Sequence, residues 1–287
     1  MPCPSPLIDA AALAARLAEG QPTVLLDCSF ELTDPDAGER QFADAHLPGA
    51  LYVHLDRDLC GPKTGADGRF RGRHPLPSPE AFAATLGRLG IGPGTTVVAY
   101  DRQGSMYAAR AWWMLRWMGH DPVLVLDGGL PAWSASGAAL VSGAAAVPAP
   151  RAPYPERAAL ARTVEADALA RRLGQLRLID ARAAERFRGE IEPLDAVAGH
   201  IPGARNRPFK DNLAADGRFL DADALRAAWA PLLVGHAADA VVHHCGSGVT
   251  ACHNLLAVAA AGLGEGVLYP GSWSEWSADP ARPVARG

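Results

Sequence analysis

The sequence predicts an α/β fold built twice: two tandem domains, each a mostly parallel sheet flanked by helices. Three observations lead there. Short apolar runs such as Val24–Asp27, Val97–Tyr100 and Val123–Leu126 are continuous rather than alternating, the pattern of strands covered on both faces. Helical stretches separate those runs, which is the signature of strand–helix–strand units. The chain also repeats itself. VLLDCSF (24–30), AHLPGALYVHL (45–55), DGRF (67–70), TVVAYDRQGSMYAAR (96–110) and LDGGLPAW (126–133) return in order as LRLIDAR (176–182), GHIPGARNRPF (199–209), DGRF (216–219), AVVHHCGSGVTACHN (240–254) and LYPGSWSEW (268–276).

Each copy is expected to open on an amphipathic helix. In the first, Leu7, Ile8, Leu13 and Leu17 fall at helical spacing, with Asp9 as N-cap. In the second, Val164, Leu169 and Leu173 do the same, with Thr163 as cap. The second copy then has apolar runs at Leu176–Asp180, Val241–His244 and Val267–Tyr269. Further helices are predicted over Pro79–Leu89, Ala108–Met118, Ala222–Leu232 and Ala251–Ala261. Residues 141–162, rich in Pro and Ala, are expected to form an extended linker without a core of its own, and ADPARPVARG a similar tail. The domains are thus expected at 1–140 and 163–287.

Composition narrows the function. A net charge of −4 offers no electrostatic case for nucleic acid or an anionic membrane, and no apolar stretch is long enough to span a bilayer. MPCPSPLIDAAALAARLAEG carries Asp9, Arg16 and Glu19 and lacks a basic start, so no signal peptide is expected. The five cysteines, Cys3, Cys28, Cys60, Cys245 and Cys252, are scattered, suggesting neither a disulfide framework nor a metal site, and a reducing, cytosolic compartment is expected.

Chemistry concentrates at 241–256, VVHHCGSGVTACHNLL, a strand, a tight loop and a helix start. Cys245 sits at the strand end, where reactive loops of such sheets belong. Free N–H groups of Gly246, Ser247, Gly248, Val249 and Thr250, with the positive end of the helix, would stabilise a thiolate and hold a charged sulfur on top of it. Cys245 is therefore read as a nucleophile that carries a transferable atom, and Cys252 as a packing residue. The first copy has Asp101-Arg102-Gln103-Gly104 at the matching place and no sulfur, so it is expected to be non-catalytic and to supply one wall of a cleft. Asp27, Asp180, His46 and His200 occur in both copies and are read as structural.

At these residues the chain resembles the tandem-domain sulfurtransferases of the rhodanese superfamily. The aspartate-ending strands, the AHLPGA and GHIPGA segments, the CGSGVT loop and PGSWSEW carry the resemblance over essentially the whole chain. CGSGVT looks like the loop of the 3-mercaptopyruvate sulfurtransferases, whereas thiosulfate-preferring rhodaneses typically place basic residues directly after the cysteine. The resemblance implies a Cys245 persulfide formed from 3-mercaptopyruvate and passed to a thiol or cyanide acceptor, thioredoxin among the candidates, without metal or organic cofactor. It also implies that Arg186, with Arg188 as a neighbouring candidate, binds the donor's anionic end, and that Ser247 works with His74 and Asp56 as a proton relay. The family's second arginine before GHIPG is missing; Leu194 and Asp195 stand there.

Three rivals remain. One is a thiosulfate-preferring enzyme, and one a non-catalytic regulatory module. A cysteine phosphatase of similar fold would need an arginine clamp after the cysteine, and residues 246–251 supply none.

Overall fold

A computed structural model describes residues 5–144, 148 and 150–287. Cys3 and part of the 141–162 segment lie outside the described residues. The first half contains strands β1 (Leu7–Ile8), β2 (Thr23–Asp27), β3 (Leu51–Tyr52), β4 (Thr96–Tyr100) and β5 (Val123–Leu126). The second contains β6 (Arg162–Thr163), β7 (Leu178–Asp180), β8 (Arg205–Asn206), β9 (Val242–His244) and β10 (Val267–Leu268). Every pairing in both sheets is parallel. The orders, β1-β5-β4-β2-β3 and β6-β10-β9-β7-β8, are the same order written twice.

The helices of the first half are α1 (Ala10–Ala18), α2 (Ala37–Asp44), α3 (Leu55–Asp58), α4 (Pro79–Arg88), α5 (Ala108–Trp117) and α6 (Gly129–Ala135). Those of the second are α7 (Ala166–Arg171), α8 (Ala184–Arg188), α9 (Ala222–Leu233), α10 (Thr250–Ala260) and α11 (Ser272–Trp276). One large cluster spans both halves, joining Trp112 and Trp113 of α5 to Leu255 and Leu256 of α10. The two α/β units therefore share a core, and the burial that holds each together also fixes the cleft between them.

Several local expectations change. Asp9 does cap α1, its carboxylate accepting from Ala12 N–H at 2.7 Å, but Leu7 and Ile8 lie before it as β1. Thr163 is not a cap: it belongs to β6, and Glu165 precedes α7. A two-residue edge strand gets its order from the neighbouring strand, and its own sequence carries no period to read. The described part of the joining segment is packed rather than free. Tyr154 is buried, its hydroxyl 3.0 Å from His120 Nδ1, and the Arg151 and Tyr154 amides bond to the Gly87 and Ala83 carbonyls of the first domain. The C-terminal tail is likewise pinned, through an antiparallel bridge between His200 and Ala285 and a bond from Trp276 Nε1 to the Pro283 carbonyl. His46 and His200 form a matched pair, each stacked on a phenylalanine, Phe42 or Phe187, whose carbonyl it also meets.

Candidate active site

β9 runs straight into Cys245, and α10 begins at Thr250. The intervening loop is shaped by a left-handed glycine: Gly248 has φ +78°, and a Cβ there would stand 2.3 Å from the Pro270 carbonyl oxygen. That backbone turn aims the Gly248 N–H at Cys245 Sγ, 3.2 Å away. The N–H groups of Ser247, Val249 and Thr250 have no acceptor among the described residues. Cys245 is only 2% exposed, yet it lines an interdomain cavity of about 190 Å³ with Arg73, His74, Tyr107, Arg186, Leu194 and Ser247. Gly246, Val249 and Thr250 line it too; Gly248 serves through its backbone.

The first domain shows what such a loop does with negative charge. Asp101, at the place matching Cys245, accepts hydrogen bonds from the N–H groups of Gln103, Ser105, Tyr107 and Ala108 at 2.8–2.9 Å. Burial raises its carboxyl pKa above the ordinary value, and the four amides offset part of that rise by favouring the ionised form. One copy of the loop is thus filled by its own carboxylate; the other presents amides around a sulfur.

Residues remote in sequence hold the cysteine loop. Cys245 N–H donates to the Ser272 hydroxyl (3.1 Å), which donates to the Tyr269 carbonyl (2.9 Å). Ser272 adopts φ +55°, a strained value for a residue with a side chain. The Trp273 and Ser274 amides bond to the Cys245 and Gly246 carbonyls. From α5 of the other domain, the fully buried Arg110 donates to the carbonyls of Gly248 (3.0 Å), Leu59 (3.3 Å) and His74 (3.2 Å). Nothing local in the sequence marks Arg110, Ser272 or Arg73, since the loop and cavity residues they meet lie far along the chain.

The three residues expected to form a relay come together across the domain interface. His74 Nδ1 lies 2.7 Å from Ser247 Oγ, and its Nε2 lies 3.6 Å from Asp56 Oδ1. Burial first, then the positive charges of Arg110 and Arg73, hold the His74 pKa down at about 3. The imidazole is neutral at pH 7, and its Nδ1 is free to accept from the serine hydroxyl.

Arg186 also lines the cavity, paired with Glu192 at 2.6 Å and with Asp195 at 3.7 Å. Arg188 does not: it forms an exposed pair with Glu190 and stands outside the cavity wall. Asp27 and Asp180 bind arginines, Arg102 at 3.1 Å and Arg182 at 2.7 Å. Burial pushes the thiols of Cys60 and Cys252 up to about 12 and that of Cys28 well above its ordinary value, which keeps them protonated. Cys252 donates to the Gly248 carbonyl at 3.4 Å and packs in the core.

Fold and loop define a class: paired α/β domains of one topology, with a single cysteine held in an amide-lined turn at the cleft between them. The chain belongs to the rhodanese-like domain family, whose model matches residues 9–136 and 165–279. It is 48% identical to the probable 3-mercaptopyruvate sulfurtransferase of Pseudomonas aeruginosa, covering 98% of both chains. It is 42% identical to a putative thiosulfate sulfurtransferase of Mycobacterium tuberculosis, over 98% of this chain and 97% of that one. A solved structure of the 3-mercaptopyruvate sulfurtransferase from Leishmania major superposes with a TM-score of 0.82 at 33% identity, over 95% of this chain and 74% of that one.

Proposed function

We propose that this protein is a 3-mercaptopyruvate sulfurtransferase working through a persulfide on Cys245. The observation that carries the reading is one sulfur at the cavity wall, with the Gly248 N–H at 3.2 Å and, two residues after Cys245, a serine hydroxyl 2.7 Å from a neutral histidine. The Cys245 thiolate attacks the donor's sulfur, and an S–S bond forms. The donor's C–S bond breaks, its electron pair passing into the enolate of pyruvate. The proton that began on the donor thiol reaches the enolate carbon by way of Ser247 and His74, so pyruvate leaves and Cys245 keeps an anionic outer sulfur. Gly248 N–H and the amides of Ser247, Val249 and Thr250 stabilise that charge, as the matching loop does for Asp101. Cyanide or a thiol then bonds to the outer sulfur, and the thiolate is restored. The first domain holds the loop through Arg110 and contributes His74 and Asp56, but no nucleophile. A cytoplasmic setting suits a working free thiol. No helix among the described residues is long and apolar enough to cross a membrane.

Intact mass spectrometry tests the reading. Incubation with 3-mercaptopyruvate should add one sulfur, about 32 Da, on Cys245 with release of one pyruvate, and cyanide should remove it. No mass gain would end the proposal.

The thiosulfate reading has one observation in its favour: Arg73 brings a guanidinium to Gly246, the residue after the cysteine. Leaving-group chemistry separates the two donors. Sulfite departs from thiosulfate without needing a proton, whereas the pyruvate enolate needs one. Ser247→Ala should therefore lower kcat with 3-mercaptopyruvate by about 10²-fold or more and leave turnover of thiosulfate within about threefold. Equal losses on both donors would remove the relay from the mechanism.

A further inference from the structure

Helices α5 and α10 begin at the Asp101 loop and the Cys245 loop and pack against each other across the domain interface. At their other ends, on the side of the interface away from Cys245, lies a second cavity, of about 560 Å³. Both domains wall it: the starts of β4 and β5, Trp112 and Arg116 of α5, and Ala259 and Glu265 in and after the last turn of α10. The Arg116–Glu265 ion pair crosses the interface here, and Arg116 also meets Asp121 at 3.0 Å. Arg16 of α1 lines the same cavity and is placed differently. It donates to Thr23 Oγ1 (2.8 Å), Gln21 Oε1 (2.7 Å) and Thr96 Oγ1 (2.7 Å), and forms no ion pair among the described residues. A guanidinium has five N–H groups, so one is left on each terminal nitrogen. Two buried polar atoms of lining residues lack a hydrogen-bond partner among the described residues, Trp112 Nε1 and Arg116 Nε, and both are donors.

We propose that this cavity is a second ligand site, which binds a small organic monocarboxylate with an apolar body, its carboxylate on Arg16. The inference does not depend on which sulfur donor Cys245 uses. The volume is that of a small-molecule site, and the wall has the expected make-up, mostly apolar with a few fixed polar groups. Pro6, Pro122, Leu124, Trp112 and Ala259 offer apolar surface for the body of the ligand. Arg16 is the one lining cation without a carboxylate, because Asp121 and Glu265 are both engaged by Arg116. A bound carboxylate would take the two remaining Arg16 N–H groups as charge-assisted hydrogen bonds. The charges of Arg16, Arg116, Asp121 and Glu265 sum to zero, so a second negative charge on the ligand would face Asp121 or Glu265 uncompensated. Such a ligand touches α1 and α5 of one domain and the end of α10 of the other, and its binding resists their separation.

Titration calorimetry of the full chain with 3-phenylpropionate tests it, with 3-phenylpropanol as the uncharged control. The acid should bind with a Kd of about 1 mM or below, and the alcohol about tenfold or more weaker. At about twenty times its Kd the acid should raise the thermal midpoint by about 3 °C. Arg16→Gln should weaken the acid about tenfold or more and leave the alcohol within about twofold. Ala259→Phe, which fills the cavity from the second domain and leaves the Arg16 hydrogen bonds alone, should weaken both about tenfold, and it serves if Arg16→Gln does not fold. Because the Cys245 cleft also holds an arginine, Arg186→Gln identifies which cavity is occupied, and it should keep the wild-type Kd within about twofold. No binding by the wild-type protein at 10 mM acid, equal affinity for acid and alcohol, or a Kd that follows Arg186 and ignores Arg16 and Ala259, would each overturn the proposal.

Discussion

Cys245→Ser should transfer no sulfur above background, a loss of about 10⁴-fold or more in kcat/KM. Serine keeps the shape of the side chain, so the fold has little reason to change. Among the described residues the thiol takes one hydrogen bond, from Gly248 N–H, and a hydroxyl can accept it as well. The chemistry does not survive. A serine hydroxyl is not ionised at neutral pH, and an oxygen cannot take up a sulfane sulfur and release it in an exchange between two sulfurs. The other described thiols cannot substitute, because burial holds Cys28, Cys60 and Cys252 in the protonated form. Thiocyanate formation and intact mass should both report nothing, while the thermal midpoint stays within about 3 °C of wild type. Retention of more than a few per cent of activity would take Cys245 out of the mechanism.

The second large effect is loss of stability in mild acid. His74, His243 and His253 are buried, and burial holds each of their pKa values down at about 3. In the unfolded chain they titrate near the ordinary value of about 6.5. Above that pH both states are neutral and these residues are indifferent. As pH falls from about 6.5 toward 3, the unfolded chain takes up three protons that the native state refuses, so stability is lost. Each proton is worth about 1.4 kcal/mol per pH unit and the three together about 4. Between pH 7.5 and pH 5 these three histidines together should cost the folded state about 6 kcal/mol, a large part of the 5–15 kcal/mol typical of a folded domain. Urea unfolding at the two pH values measures it, and an unchanged midpoint would refute it. His243 apportions the effect. Its ring rests against Trp229, and neither nitrogen has a hydrogen-bond partner among the described residues. His243→Phe should therefore lower the acid slope by about a third.

Much of the architecture could be read from the chain because its causes are local. Continuous apolar runs marked β2, β4, β5, β7, β9 and β10 to within a residue or two, and helical spacing marked α4, α5, α9 and α10. The cysteine loop was legible for the same reason: a sulfur at a strand end, glycines and a helix start are neighbours in sequence. The edge strands β1, β3, β6 and β8 are two residues each and have no period of their own; only pairing makes them strands. Thr163 looked like a cap because the same residue types serve as caps and as strand ends, and pairing of β6 with β10 decided between the two.

Residue type and spacing alone are enough to reveal a duplicated α/β protein with one cysteine-bearing loop at a strand end, because both are local patterns. How that loop is completed depends on packing between distant parts of the chain. That packing set His74 against Ser247, placed Arg110 under the Gly248 carbonyl, took Arg188 out of the cavity and brought Arg73 in. Those contacts join residues tens to well over a hundred positions apart, and shared burial of the two domains, which leaves no trace in any short stretch of chain, brings them together.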